Sequence, residues 1–151
     1  MKQDQTDCSI DSTLSVIGDR WSMLILRDLF RGVRRFEQVR KDLGIAKNIL
    51  SDRLNKLNIA GVVHQQPYQT NPVRHEYYLT EKGIDLSPSL IALMHWGDRW
   101  YAEGKPPTIL THSVCDTALQ QITHCPQCKA HVSPDQISSR PGGTTNLKKP
   151  A

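Results

Sequence analysis

The stretch Arg35–Val63, RFEQVRKDLGIAKNILSDRLNKLNIAGVV, holds two helical patterns separated by one short turn. In its first part, apolar residues recur every three or four positions, which predicts a helix over about Arg35–Leu43. Gly44 suits the left-handed conformation that commonly ends a helix. A second helical pattern follows over about Ala46–Ala60 and stops at Gly61. Two helices joined by a short glycine-containing turn are typical of a helix-turn-helix motif.

The second helix of this motif has one apolar and one polar face. At roughly 100° per residue, Leu50, Leu54 and Leu57 share a face that we expect to lie in the core. The opposite face carries short side chains that both donate and accept hydrogen bonds: Asn48, Ser51 and Asn55, flanked by Lys47 and Asp52. Such side chains suit a helix in the DNA major groove, where each base pair presents its own donors and acceptors. An ordinary solvent-exposed face is the alternative.

Two extended segments after the motif predict a β-hairpin. They cover Val62–Tyr68 and Arg74–Leu79, and the turn-forming residues of Pro67–Pro72 separate them. A hairpin directly after a helix-turn-helix is called a wing. The predicted fold is therefore mainly α with a small β-hairpin, a winged helix-turn-helix.

Cationic side chains flank the predicted recognition helix in the sequence. Arg34 and Arg35 precede the first helix of the motif, and Arg74 and His75 are expected at the base of the second hairpin strand. Arg53 lies towards one side of the recognition helix and could either contact a phosphate or brace the fold. Phosphate contacts position a protein on DNA, whereas base contacts specify the sequence. The sequence offers candidates for both kinds of contact. The candidates for the DNA phosphates are Arg34, Arg35, Lys47, Arg74 and His75.

The net charge is concentrated around the same motif. Between Arg31 and Arg74 there are nine basic and three acidic residues, a charge of +6, whereas the whole chain carries +4. The remaining residues therefore carry −2. A basic block in an otherwise near-neutral chain indicates a surface for a polyanion such as double-stranded DNA. A solvated face with scattered cations is the alternative.

Helices are also predicted on both sides of the motif. They cover Ser9–Ile17, Arg20–Phe30 and about Glu81–Tyr101. Gly18 ends the first of them, and Asp19 can cap the second, which is apolar nearly all round and should be the buried central helix. Pro88 predicts either a kink in the last helix or a restart capped by Ser87.

The last helix carries an apolar stripe that is large for one short chain to hide alone. We therefore expect a homodimer that buries it. A role in the core of the single chain is the alternative. The candidate interface residues are Ile10, Leu14, Leu90, Leu93, Trp96 and Trp100.

The last third of the chain contains the pattern His112-x2-Cys115-x9-Cys125-x2-Cys128. Two ligand pairs with this spacing predict a closed, tetrahedral structural zinc site in a small knuckle-like appendage.

Several features leave this zinc prediction open. Asp116 and Lys129 stand where zinc knuckles often have glycine, and His124 or His131 could replace His112 as the fourth ligand. The alternatives to zinc are a redox-active pair of the last two cysteines or plain free thiols. Ser133-Pro134-Asp135-Gln136 then predicts a capping box that opens a short helix.

The predicted organisation is a winged helix-turn-helix domain over 1–104, a zinc-binding segment over 105–139 and a disordered tail over 140–151. No apolar run has the length that spans a bilayer, and the first residues lack the apolar core of a secretory signal, so we expect a cytoplasmic protein. We find no glycine-rich phosphate loop, nucleophile elbow or paired carboxylates, and expect no enzyme. A protein-interaction module on this scaffold, or a thiol oxidoreductase using Cys125 and Cys128, is the alternative.

From Cys8 to about Glu103 the chain resembles the HxlR family of bacterial transcriptional regulators, relatives of the MarR type. The resemblance rests on Ile17-Gly18-Asp19-Arg20-Trp21, Arg35-Phe36, Gly44-Ile45, Leu50-x-x-Arg53-Leu54-x-x-Leu57, Gly61-Val62-Val63, Glu76-Tyr77-x-Leu79-Thr80-x-x-Gly83 and Trp96-Gly97. It implies a homodimer built from the first and last helices that grips a two-fold-related operator. It also implies that a small-molecule effector could bind between the dimerisation helices and the DNA-binding part.

Cys8 matches the position of a cysteine that in this family sometimes senses oxidants or electrophiles. Such a role needs an exposed thiol with a lowered pKa. Arg20 or the start of the first helix could supply the lowering. An inert, half-buried small residue is the alternative.

Overall fold

The computed structural model describes residues 8–142. Its contacts divide the chain into two compact units, the first ending at Pro106 and the second beginning at Pro107. The helices of the first unit are α1 (Ser9–Ile17), α2 (Arg20–Phe30), α3 (Phe36–Leu43), α4 (Lys47–Ile59), α5 (Glu81–Ile84) and α6 (Ser87–Tyr101). The strands are β1 (Val63–Thr70) and β2 (Val73–Leu79), followed in the second unit by β3 (His124–Cys125) and β4 (Ala130–His131). The first unit is helix-rich with a small antiparallel hairpin, as the sequence predicts.

The corner between α1 and α2 forms as predicted. Gly18 ends α1, and the Asp19 carboxylate accepts hydrogen bonds from the backbone amides of Trp21 and Ser22, at 3.1 Å each. These bonds satisfy amides that the first turn of a helix cannot pair internally. Asp19 is therefore the N-cap of α2.

The core forms where α2, α3 and α4 meet. Leu50, Leu54 and Leu57 of α4 are buried, which confirms the predicted inner face. They join Ile25 and Leu26 of α2 in one apolar cluster. Gly44 ends α3 with a φ of 61°, so the turn of the motif uses the left-handed conformation predicted for this glycine.

Helix α2 also buries charge, which its apolar composition does not indicate. Asp28 is buried, and its Oδ1 lies 2.7 Å from Nη2 of Arg27 and 3.5 Å from Nη1 of Arg31. Burial raises the pKa of Asp28, while the Arg27 guanidinium opposes that rise. Both arginines also reach Asp42, at 3.2 and 3.3 Å, and so tie α2 to the end of α3.

The hairpin is longer than the sequence predicts. Residues predicted as a loop, Pro67–Pro72, are largely paired, and the connection is a tight turn at Asn71-Pro72. Pro67 fits inside β1 because the register shifts between Pro67 and Gln69, and a bulge is one of the few strand positions that tolerates proline. Turn-forming composition alone does not distinguish a loop from a bulged strand.

The final helical region is broken, as Pro88 predicts. Thr80 caps α5 by accepting a hydrogen bond from the Gly83 amide at 3.2 Å, and α6 restarts with Pro88 in its first turn. Ser87 is not the cap of α6, because Leu86 occupies that position without a side-chain hydrogen bond. A Cβ at Gly83 would collide with the carbonyl oxygen of Val62, so glycine lets α5 pack against the start of the hairpin.

The second unit contains little regular structure. The hairpin β3–β4 is followed by a 3-10 helix at Pro134–Gln136, which opens with the predicted capping box of Ser133 and Gln136. None of the described residues from 107 to 142 is buried. The predicted disordered tail lies, from residue 143, outside the described residues. None of the helices within residues 8–142 is both long enough and apolar enough to cross a membrane.

Asp19 gives a test of the corner between α1 and α2. We expect Asp19→Ala to lower the free energy of unfolding by about 1 to 2 kcal/mol, as measured by urea denaturation, because the α2 amides lose their cap. Asp19→Asn keeps an acceptor for those amides and should cost less. Asp85→Ala, at another exposed carboxylate, serves as the control; an equal loss in Asp85→Ala would contradict the cap.

Asp19 also makes the stability of the fold depend on pH. Burial raises the pKa of Asp19, but hydrogen bonds from Ser22 and the charge of Arg53 outweigh it and leave the pKa below its ordinary 3.8. A lowered folded-state pKa stabilises the fold above pH 3.8, and this stabilisation disappears as the pH falls through the folded-state value. Asp19→Asn should therefore unfold with a shallower acid dependence than the wild type.

Candidate nucleic-acid interface

The outer face of α4 is polar and exposed over its first three turns. Asn48, Ser51 and Asn55 are all exposed, on the side of the helix opposite its buried leucines. Lys47 and Asp52 are exposed on the flanks of this face. We call these five residues the α4 outer face. Its amide and hydroxyl groups can both donate and accept hydrogen bonds, which base edges in a major groove require of a reader.

Arg53 braces the fold in the structure. Its Nε lies 3.0 Å from Oδ1 of Asp19, the N-cap of α2, and its Nη1 lies 2.6 Å from Oδ2 of Asp52. Lys56 reaches the same Asp52 oxygen at 3.1 Å. The sequence left open whether Arg53 braces the fold or meets a phosphate, and these contacts favour the brace. They also neutralise the one acidic side chain on the α4 outer face.

The wing is attached to the residues before α3. The backbone oxygen of Arg34 accepts a hydrogen bond from the Tyr77 amide at 2.9 Å, and Arg35 forms a bridge with Glu76. The Arg35 side chain also donates to Glu76, with 2.9 Å between Nε and Oε1. This isolated bridge and its side-chain hydrogen bond attach the hairpin to the helix-turn-helix.

Aromatic rings complete this attachment. The guanidinium of Arg34 lies 4.6 Å from the ring centre of Tyr78, and that of Arg35 lies 4.5 Å from the ring centre of Tyr68. The Tyr78 hydroxyl donates to Glu76 at 2.8 Å. This hydrogen bond, followed by the one from Arg35, lowers the pKa of Glu76, so its carboxylate stays charged. The sequence indicated both arginines as phosphate contacts but did not indicate their partners on the wing.

Arg74 lies near the tip of the wing, beside the turn. Strand β2 begins at Val73 immediately after the turn, so Arg74 is its second residue and pairs with Gln69. His75 is the next residue and pairs with Pro67. The sequence predicts this strand from Arg74, one residue later than its observed start at Val73. An exposed arginine at a wing tip can reach DNA beside the site of the recognition helix.

The basic side chains of this region divide into two groups. Arg27, Arg31, Arg35, Arg40, Arg53 and Lys56 form ion pairs with neighbouring carboxylates. Among residues 8–142, no carboxylate lies within ion-pair distance of Arg34, Lys41, Lys47 or Arg74. This second group, in which Lys41 was not a sequence candidate, is best placed to meet phosphates.

The surface of α6 is unusually apolar. None of its residues is buried, and the side chains of Trp96 and Trp100 are 56% and 67% exposed. Leu93 on α6 and Ile10 and Leu14 on α1 are exposed as well. Another predicted interface residue, Leu90, is half-buried against the core of its own chain.

Cys8 is exposed at the N-cap position of α1. The half-buried environment considered in the sequence analysis is therefore not observed. Its backbone oxygen accepts the first hydrogen bond of the helix, from the Ser12 amide at 2.9 Å.

The predicted metal ligands occur as two pairs. Nδ1 of His112 lies 3.3 Å from Sγ of Cys115, and the Cys128 amide donates to Sγ of Cys125 at 3.4 Å. Within the described part of the chain, no three His, Cys, Asp or Glu side chains are close enough together to hold a metal ion. The zinc site stays a prediction.

The buried motif, its polar outer helix and the attached hairpin define a winged helix-turn-helix protein. The chain belongs to the HxlR-like helix-turn-helix family, whose family model matches residues 16–105. It is a transcriptional regulator of the helix-turn-helix type, as its relatives' names also state.

Comparisons with individual proteins agree with this family. Rv3095 of Mycobacterium tuberculosis, an uncharacterised HTH-type transcriptional regulator, is 38% identical over 135 residues, which cover 89% of this chain and 85% of the relative. The structure of PA1607, a candidate transcription factor, superposes with a TM-score of 0.81 at 32% identity, over 93% of this chain and 99% of that one. The redox regulator HypR in its oxidised form matches with a TM-score of 0.56 at 31% identity, over 61% of this chain and 96% of that one.

Proposed function

We propose that this regulator binds a palindromic DNA operator as a homodimer, with α4 in the major groove and the wing on the flanking groove. The exposed polar face of Asn48, Ser51 and Asn55 on the second helix of the motif carries this proposal. The buried leucines on the other side of α4 prevent the helix from rotating to present a different face. The α4 outer face would then be the part of the helix that meets base edges.

Phosphate contacts would hold that face in register. Lys47 at the start of α4 and Arg74 near the wing tip are exposed cations that can make these contacts. Within residues 8–142, no side chain caps the first turn of α4, so its backbone amides can also donate to a phosphate. Arg34 adds a cation at the base of the wing. These groups would set the position of the protein, and the α4 outer face would supply the specificity.

A second copy of the chain is the expected partner of the apolar surface on α1 and α6. Exposed tryptophans at two positions one helical turn apart leave much apolar area in water, which association would remove. A two-fold dimer would present two α4 helices to successive major grooves, which requires them to lie about 34 to 36 Å apart. The operator would then show matching two-fold symmetry, and the protein would act in the cytoplasm, where the DNA is.

A thiol response through Cys8 is part of the proposal. The exposed thiol at the start of α1 is accessible to oxidants. HypR, whose structure matches 61% of this chain, is described as a redox regulator. A small-molecule effector bound between the dimerisation helices and the DNA-binding part is a further partner that the family resemblance implies.

Base reading by the α4 outer face can be tested by gel shift. The probes are a duplex from the region upstream of the protein's own gene and a scrambled duplex of equal length. Asn48→Ala and Asn55→Ala should each cost about 1 to 3 kcal/mol of discrimination between the two probes. An unchanged ratio of the two affinities in both variants would contradict the proposal.

Phosphate contacts have a separate signature in the salt dependence. Lys47→Ala and Arg74→Ala should weaken binding to both probes and reduce the slope of log K against log salt by about 1 per lost contact, hence about 2 per dimer. Lys105→Ala, an exposed cation beyond α6, should leave the slope unchanged. Equal slopes in all three variants would remove these cations from the interface.

The dimer surface is tested by sedimentation equilibrium. Trp96→Asp should convert a dimer into monomers, because a carboxylate would be buried at the interface without a partner. Ile109→Asp changes a residue that is 63% exposed in the second unit and should leave the dimer intact. A monomeric wild type, or a dimeric Trp96→Asp variant, would contradict the proposed interface.

The thiol response is tested with diamide, which removes two electrons and two protons from two thiols to form a disulfide. We expect diamide to release the wild type from the operator probe and to have no effect on Cys8→Ser. Non-reducing gels show whether the second thiol belongs to another chain. Cys128→Ser retains Cys8 and should still respond; a response retained in Cys8→Ser would exclude Cys8 from the mechanism.

A further inference from the structure

The two ligand pairs of the second unit lie in turns of similar backbone conformation. Asp116 and Lys129 each follow the second ligand of a pair, and their φ values are 55° and 51°. A residue with a side chain rarely adopts this left-handed conformation. Only one other described non-glycine residue, Glu103, does so. The two turns therefore share a left-handed residue directly after the second ligand, a conformation that is unfavourable for residues other than glycine. Zinc knuckles usually have glycine at this position.

Each turn is also closed by antiparallel pairing of its flanks. Thr111 pairs with Ala118 around the first turn, and β3 pairs with β4 around the second. In the first turn the amides of Cys115 and Asp116 donate to the His112 oxygen, at 3.2 and 2.8 Å. In the second turn the Cys128 amide donates to the Cys125 sulfur. Such an amide stabilises negative charge on a sulfur ligand.

The side chains of the first pair lie close enough together to share one ligand position. His112 and Cys115 are separated by 3.3 Å between Nδ1 and Sγ. Two ligands of a tetrahedral zinc ion, at ~2.1 Å for nitrogen and ~2.3 Å for sulfur, stand roughly 3.6 Å apart. The first pair thus already has nearly the spacing of two ligands on one ion.

The second unit lacks the packing that would otherwise hold these turns together. Ile109, Val114, Leu119, Ile122 and Ile137 are all exposed, and no described residue of the unit is buried. A segment of this size without a core needs a cross-link, which a metal ion supplies. The alignment with Rv3095 spans 135 residues and so must extend beyond the first unit, which ends at Pro106. The segment is therefore shared with a relative.

We propose that the second unit binds one structural zinc ion through His112, Cys115, Cys125 and Cys128. Three sulfur ligands and one imidazole suit zinc, and four protein ligands leave no open position for catalysis. Binding would draw the two turns together, since the four side chains stand as two separate pairs in the structure. The site would serve to fold the second unit.

The test is metal analysis of the full chain, purified under reducing conditions without chelator. We expect one zinc ion per chain, with an X-ray absorption spectrum that fits three sulfur neighbours at ~2.3 Å and one nitrogen at ~2.1 Å. The proposal would be overturned if the purified protein contained far less than one zinc ion per chain and the reduced protein took up none when zinc was added. So would an intramolecular disulfide of Cys125 and Cys128 that persists under these conditions.

Variants assign the ligands. Cys115→Ser and Cys128→Ser should each abolish stoichiometric zinc, whereas Cys8→Ser should retain it. His112→Ala should lose zinc, while His124→Ala and His131→Ala should keep it; the reverse result would overturn the assignment of the fourth ligand. Cobalt added to the reduced wild-type chain, after bound metal has been removed, gives a second readout that needs no variant. An intense tetrahedral thiolate spectrum supports the site, and a weak octahedral spectrum opposes it.

Discussion

Burial of one face of α4 is the constraint on which the rest of the first unit depends. Leu50, Leu54 and Leu57 are buried against α2, and this fixes the rotation of the helix about its own axis. A helix has a single direction opposite its buried stripe, so the side chains that point into solvent are also fixed. The α4 outer face is thus a consequence of packing. Its specificity for DNA would come from the rigid position that the core gives to short polar side chains.

Polar contacts then fix α4 and the wing relative to α2 and α3. Asp19 satisfies the amides of α2 and holds Arg53 of α4, so one carboxylate links the two helices. Arg35 and Glu76 link the wing to the start of α3 in the same manner. Surface ion pairs contribute little free energy individually. Their value here is orientation, because they act between elements whose relative positions determine whether the helix and the wing can meet one duplex together.

The sequence predicts the elements of the first unit well because their signals are local. The spacing of Leu50, Leu54 and Leu57, the glycine at 44 and the cap at Asp19 each depend on a few neighbouring residues. The partners of charged residues are not local: Arg53 meets Asp19 across 34 positions and Arg35 meets Glu76 across 41. Because burial also depends on residues that are distant in sequence, the burial of Asp28 in an apolar helix and the packing of Leu90 against its own core are not predicted either. The sequence underestimates only the length of the wing strands, because a bulge allows Pro67 to remain within a strand.

The position of α1 connects the proposed thiol response with the proposed DNA contacts. Cys8 begins this helix, and Ile10 and Leu14 follow it on an exposed apolar face. At its other end Ile17 is buried in the shared core, and α1 packs against α4. A disulfide at Cys8 would change the start of a helix that contributes both to the proposed dimer surface and to the support of the recognition helix. Because a two-fold operator requires a fixed distance between two α4 helices, a small displacement of α1 at the dimer surface would be enough to weaken binding.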